Sequence, residues 1–398
     1  MRTQRFLRGA LTFACAGILT VGISGGAAAA SPLTPASLAD DFYSTPADLE
    51  STAPGDVLRS RPMPPIFAVV ASVTQLQFHS TDSLARPIAA VATVLTPPNH
   101  RPDSPIFVWD HATNSLGPRC APSQAMWSTD PDVVMRETPA LDPILALGWT
   151  VVIPDHLGPD SAYGAARMGG QITLDAARAA VRFEPLHLNN SPIALAGYSG
   201  GGMSAAFAAA MAPTYAPELR IVGSALGGVP VSIETMANAL WHNRHPAFGI
   251  AAAVAVGLSR EYPDDLPIID YANPVGRQFM TALNDACVNQ ILSQGFGHSV
   301  DDFGSDFTLF FAPRTRAIMR DNSIENYEGV PGSPVFEWHS PTDVLLPLPE
   351  LDATMARWRA EGTPVTQLQV PAPDHLSAAL IGLPAAVQWL AGRFAQAQ

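Results

Sequence analysis

Five residues, Gly197-Tyr198-Ser199-Gly200-Gly201, restrict this chain more than any other segment. They spell G-x-S-x-G between a strand-like run, Ile193-Ala194-Leu195-Ala196, and a small-residue stretch. That stretch, from Gly202 through Ser204, Ala205, Ala206 and Phe207, reads as a helix. A strand that turns straight into a helix holds its turn residue in strained geometry at the tip of a sheet. The neighbours of such a residue must be tiny, and Gly197 and Gly201 meet that need. G-x-S-x-G is common by chance in a chain with 30 glycines, so the flanking strand and helix give it its weight. The context predicts a nucleophilic serine, Ser199, on an α/β sheet.

The rest of the pattern agrees with an α/β class. Residues 31–63 are proline-rich without strong periodicity and are expected to wrap the surface. Phe67–Phe78 and Ile88–Leu95 read as adjacent antiparallel strands. Strands then alternate with helices. Pro105–Trp109 precedes a helix containing Leu141 to Leu147; Thr150–Ile153 precedes a helix at Gln171–Phe183; the Ser199 strand comes third. This rhythm predicts a mostly parallel sheet with helices on both faces. After the helix ending near Pro213 and a strand at Ile221–Ala225, the rhythm stops for roughly a hundred residues. Helical stretches such as Ile233–Trp241 and Phe248–Leu258 fill that interval. Strands resume at Pro334–Trp338 and Val365–Val370, separated by a helix at about Pro349 to Ala360, and a helix at Pro384–Ala395 closes the chain. The organisation expected is one α/β domain, residues 31–228 and 326–398, interrupted by a helical cap at 229–325.

Residues 1–30 read as a cleavable leader. Arg2, Arg5 and Arg8 precede an apolar run, Ala10 to Ile23, and Ala27-Ala28-Ala29-Ala30 offers an A-x-A cleavage site. Export is the expectation, and removal of the leader takes Cys15 with it. Cys120 and Cys287 remain, and two cysteines in an exported chain are expected to pair. The formal net charge is −13; residues 1–30 hold three arginines and no acid, so the remainder stands at −16. An acidic chain without a single lysine argues against nucleic acid as a partner and offers no basic patch to anionic membranes. No run of 18 apolar residues follows the leader, so no stable membrane insertion is expected. Neither metal-ligand spacing nor a phosphate-cradling loop appears, and no cofactor is implied.

A serine hydroxyl needs a base to take its proton, and the base needs an orienting acid. On a sheet of this kind the chain order is Ser, then Asp or Glu, then His. Five of the ten histidines follow Ser199. His242, His245 and His298 fall in the proposed cap, and His339 precedes the best acid. His375, in Pro371-Ala372-Pro373-Asp374-His375 directly after a strand, is the candidate base. Asp343, in the turn-like Ser340-Pro341-Thr342-Asp343, is the candidate acid, ahead of Glu337, Glu350, Asp352 and Asp374. For an oxyanion hole, the backbone N–H of Gly200 is one donor. The loop after an earlier strand, Trp109–Cys120, should supply the other. Asn114 there can donate through its amide, though a turn-forming asparagine is an equal reading. Asp110-His111 and Asp155-His156 also end strands, in the wrong order for a triad, and read as supporting residues.

Several segments together resemble the secretory lipase family, the lipase A type. They are Cys120-Ala121-Pro122-Ser123, Asp155-His156-Leu157-Gly158, Gly197-Tyr198-Ser199-Gly200-Gly201, Tyr215-Ala216-Pro217-Glu218-Leu219, Gly227-Gly228-Val229-Pro230-Val231, Trp338-His339-Ser340-Pro341-Thr342-Asp343 and Asp374-His375-Leu376. The resemblance implies an α/β-hydrolase fold with a helical cap between the nucleophile and acid strands. It implies lipase or carboxylesterase activity without a cofactor, acting on lipid or other carboxylic esters. Carried over by residue, it makes Ser199 the nucleophile, Asp343 the acid and His375 the base, and pairs Cys120 with Cys287. In the yeast type the oxyanion side chain is an aspartate six residues before the cysteine. This chain holds Asn114 there, a departure that replaces a carboxyl with a neutral amide.

Overall fold

The computed structural model describes residues 33–66, 71–135, 137–240 and 242–397. The expected leader at 1–30 lies outside the described residues, as do positions 67–70 of the expected first strand and Trp241.

A nine-stranded sheet runs in the order β1-β2-β3-β5-β4-β6-β7-β8-β9. Its strands are β1 Val57–Met63, β2 Ser72–Thr81, β3 Pro87–Thr96, β4 Ile106–Asp110, β5 Thr150–Pro154, β6 Ile193–Tyr198, β7 Ile221–Gly227, β8 Val335–His339 and β9 Val365–Gln369. β1 to β3 and the β3–β5 pair are antiparallel; β5, β4, β6, β7, β8 and β9 pair in parallel. The core helices are α1 Pro122–Ala125, α2 Asp142–Ala146, α3 Ala166–Arg182 and α4 Gly200–Tyr215. Between β7 and β8 come α5 Ile233–Leu240, α6 Phe248–Glu261, α7 Pro274–Leu283, α8 Val288–Gly295, α9 Thr308–Phe311 and α10 Pro313–Asp321. After β8 come α11 Leu348–Ala360 and α12 His375–Ala397.

The central strands are buried on both faces, and alternate residues enter different cores because a strand's side chains alternate sides. Ile106, Val108, Val152 and Leu195 pack with α3, α4 and α11. Phe107, Val151, Ile153, Ala194 and Ala196 pack with α1, α2 and α12. That is the physical content of the continuous apolar runs in the sequence, and it makes the sheet a rigid platform whose strand ends carry the site.

Three expectations need correction. Residues 57–63 are not surface wrapping: they form β1, an edge strand pairing with β2, where Pro62 costs no ladder bond to a further strand. α4 begins at Gly200 and continues past Pro213 to Tyr215. The last helix begins at His375 and not at Pro384, which lies inside it. Asp374 caps that start, accepting from the Ser377 N–H at 2.9 Å and from the Ser377 hydroxyl at 2.8 Å.

Candidate active site

The turn between β6 and α4 is as tight as its glycines suggest. Ser199 sits at φ +54° and ψ −123°, a region costly for any residue with a Cβ. A Cβ on Gly201 would stand 2.0 Å from the Asp110 carbonyl oxygen, so that position admits hydrogen alone. The cost of this geometry is borne by the packed strand and helix on either side, and it lifts the Ser199 side chain clear of the sheet edge.

Asp343 arrives from the loop after β8, and His375 opens α12 after β9. His375 Nδ1 stands 2.6 Å from Asp343 Oδ2, and its Nε2 stands 2.8 Å from Ser199 Oγ. With Nδ1–H donating to the carboxylate, Nε2 is left as the acceptor for the serine hydroxyl. Both supporting side chains are buried. The loops after β8 and β9 are tied to one another: the Ser340 hydroxyl donates to the Ala372 carbonyl at 2.7 Å. The Leu345 N–H donates to Asp343 Oδ1 at 2.9 Å. Tyr198 adds a further restraint, its hydroxyl donating to the His375 carbonyl. Sequence reasoning passed over Tyr198 and Ser340, although both lie inside the segments that carry the motif residues.

The other histidines are engaged elsewhere. His339 Nδ1 lies 3.0 Å from both carboxylate oxygens of Glu337, within β8. In the insertion, His242 pairs with Asp301 and His298 with Asp302.

Asn114 comes up beside the Ser199 turn from the loop after β4. Its backbone is left-handed (φ +44°), a conformation asparagine tolerates better than most residues. A Cβ on Gly200 would meet the Asn114 amide oxygen at 1.9 Å, so the amide lies directly against the first turn of α4. That oxygen is buried with no hydrogen-bond partner among the described residues. Turning the amide by 180° presents Nδ2 at the same place, a donor beside the backbone of Gly200. Asn114→Ala is expected to lower kcat by about 10²- to 10³-fold with little change in KM. Asn114→Asp should restore turnover at low pH only, because a carboxyl donates only when protonated; a kcat–pH profile of both variants checks this.

Beneath the turn lies a buried layer of titratable groups. Thr173 Oγ1 is 2.9 Å and 3.0 Å from the two Asp110 carboxyl oxygens and 2.7 Å from the Gly169 carbonyl. One hydroxyl proton cannot serve both; with it on Gly169, Asp110 must itself be protonated to bond Thr173. Burial, which pushes the Asp110 carboxyl well up, favours the same state. His156, 4.0 Å away, is driven down to about 3 by burial and then by His111, so it stays neutral. Asp155 accepts from the Ser123 N–H at 2.9 Å and lies 2.5 Å from its hydroxyl, holding the Cys120–Ser123 segment against β5.

Burial raises Asp155 from 3.8 to about 7 despite the bonds from Ser123. The folded chain therefore holds this proton more tightly than the unfolded one. Its contribution to stability is complete below about pH 4 and is lost as the pH climbs to about 7. Asp155→Asn mimics the protonated form. Thermal scans should show the variant matching the parent near pH 4 and melting higher than it at pH 8.

Cys120 and Cys287 form a disulfide across 167 residues, with Cα atoms 5.6 Å apart. It fastens the Asn114 loop to the start of α8. Arg260, on α6, secures the same seam. Its guanidinium donates to the carbonyls of Leu33, Leu116, Asp160, Ser161 and Asn284 at 2.6 to 3.1 Å. Nothing in the sequence marks this arginine, because all but one of its acceptors, Asn284 Oδ1, are backbone oxygens, drawn from four separate segments.

The family model for secretory lipases matches residues 130–398. The chain belongs to the secretory lipase family. Within the family, lipase A of Arthroderma benhamiae is 32% identical, over 89% of this chain and 79% of its own. A Mycobacterium tuberculosis relative named a probable inactive lipase is 30% identical, over 92% of this chain and 83% of its own. The closed-state crystal structure of Candida antarctica lipase A superimposes with a TM-score of 0.84 at 29% identity. That alignment covers 93% of this chain and 88% of the lipase. This secretory lipase family member is a carboxylic ester hydrolase on an α/β-hydrolase fold.

Proposed function

We propose that the chain hydrolyses lipid-like carboxylic esters through a Ser199–His375–Asp343 triad and an acyl-enzyme. The observation that carries this reading is the continuous chain of hydrogen-bond distances, 2.8 Å and 2.6 Å, from hydroxyl to imidazole to buried carboxylate. Ser199 Oγ attacks the ester carbonyl carbon while its proton passes to His375 Nε2. The tetrahedral oxyanion is held by the Gly200 N–H and the Asn114 amide. The alcohol leaves with the proton from Nε2; His375 then takes a proton from water as the water attacks the acyl-enzyme, and returns it to Ser199 Oγ as the acid is released.

In this reading residues 229–325 act as a cap. A cavity of about 200 Å³ lies inside the insertion, walled by Ile233, Phe248, Val254, Leu258, Phe303 and Phe310. Ser199 and His375 do not line it, so it supports a shelter for the far part of an acyl chain and not for the reacting ester. The secretory family and the leader-like residues 1–30 support an extracellular site of action.

Labelling with a fluorophosphonate, combined with turnover of p-nitrophenyl esters from acetyl to palmitoyl, tests the proposal. Modification of Ser199 and rates rising with chain length are the expected results. Activity confined to short chains would make the insertion a restriction and the protein an esterase. Failure of Ser199 to label would end the triad reading.

A further inference from the structure

Helix α12 has two faces that do not match. Its buried positions, His375, Ala378, Gly382, Ala386, Leu390 and Phe394, form one stripe against the sheet. Gly382 presses on Trp338 so closely that a Cβ there would stand 2.1 Å from the indole, which fixes how the helix is turned. A helix buried on one stripe ordinarily shows water a polar back. The first turns of α12 do not. Leu376 is 72% exposed, Leu380 71% and Ile381 53%, and no charged side chain occurs from His375 to Gly392. The helix is long and apolar enough to cross a membrane by length and composition, yet only 28% of its most apolar stretch is buried. Val344, 83% exposed, follows directly on Asp343. The 2.6 Å bond between Asp343 and His375 brings the two apolar segments together, each one residue from the site.

We propose that this face, Val344 with Leu376, Leu380 and Ile381, docks the protein on an uncharged lipid surface that carries its ester substrate. The proposal rests on the ester-hydrolase reading above. Charge selects the occupant. The chain carries a formal net charge of −13, and the face has no cation to offset repulsion from an anionic bilayer. A neutral or zwitterionic surface presents no such barrier, and exposed leucine and isoleucine gain by leaving water for its acyl region. Because His375 opens the same helix, docking here sets the lipid beside the base instead of at a remote face.

Flotation of the Ser199→Ala protein with a phosphatidylcholine-coated triolein emulsion tests this without consuming the lipid. Leu380→Ser combined with Ile381→Ser is expected to lower the emulsion-bound fraction ratio at least tenfold. In the Ser199 background the same pair should leave kcat/KM for soluble p-nitrophenyl acetate within twofold. Leu380→Trp, which adds an interface-seeking ring at an exposed position, should raise binding at least twofold. Unchanged flotation in the double variant, or no rise with Leu380→Trp, would overturn the proposal. So would a parent dimer that the double variant splits while flotation stays the same, since the face would then cover a second copy. Face-dependent flotation in a protein without Ser199-dependent turnover would support docking and remove the proposed chemistry alone.

Discussion

Ser199→Ala is expected to lower kcat by about a million-fold on every ester the protein turns over, and His375→Ala by about as much. The double variant should be no worse than either single one. A hydroxyl without its base and a base without its hydroxyl are equally unable to form the acyl-enzyme, so the two losses describe one event. Asp343 differs, because it orients His375 Nδ1 at 2.6 Å without touching the reacting atoms. Asp343→Asn should cost about 10⁴-fold, by favouring the wrong tautomer, and leave KM nearly unchanged. Residual rates above water in these variants would report Gly200 and Asn114, which remain in place. Single-turnover assays on p-nitrophenyl butyrate separate the cases. Ser199→Ala within a hundredfold of the parent would mean that another group attacks the ester.

The parts of the candidate site that were legible in the sequence share one property: each is fixed by covalent proximity to a strand end. Ser199 follows β6, Asp343 follows β8 and His375 follows β9, so strand order along the chain sorted five histidines down to one. The sheet was legible because strands buried on both faces read as unbroken apolar runs. β1 was not legible, since Arg59, Arg61 and Pro62 give an edge strand no apolar signature. The start of α12 was misplaced for a different reason. Pro384 looks like a helix start, while the true signal was Asp374 with Ser377 three residues on. Arg260 is unmarked in the sequence, and Asp155 reads there only as a supporting residue without its Ser123 partner. Their partners lie 24 to 227 residues away in sequence and include backbone atoms, which have no residue type to recognise.

Replacing Cys120 and Cys287 together by serine is expected to cost up to about 5 kcal/mol, the loop-closure value for a bridge spanning 167 residues. The melting temperature should fall by on the order of 10 °C. Activity at 25 °C should suffer much less, by under about tenfold, because the Asn114 loop keeps a second fastening. Arg260 donates to the Leu116 carbonyl at 2.7 Å and to the Asn284 carbonyl at 2.6 Å, spanning the seam that the disulfide closes. Removing these two fastenings together is a different matter. Arg260→Ala added to the cysteine variant leaves five carbonyls without this donor and loosens the loop that aims Asn114, which then keeps the Leu116 N–H bond to the Ala286 carbonyl at 3.0 Å and the Arg119 bond to Gln290 at 2.9 Å. Turnover should then approach the level of Asn114→Ala, about 10²-fold or more below the parent. The two losses should therefore exceed additivity in kcat, and Arg260→Ala should itself lower the melting temperature by an amount comparable to the cysteine pair, since each buried carbonyl left unpaired costs about 1–3 kcal/mol. Additive effects on kcat would mean that the loop is positioned from the β4 side alone. Thiol titration of the unreduced, denatured chain lacking residues 1–30 sets the starting point: any free thiol there would remove the cross-link and its length-dependent stabilisation.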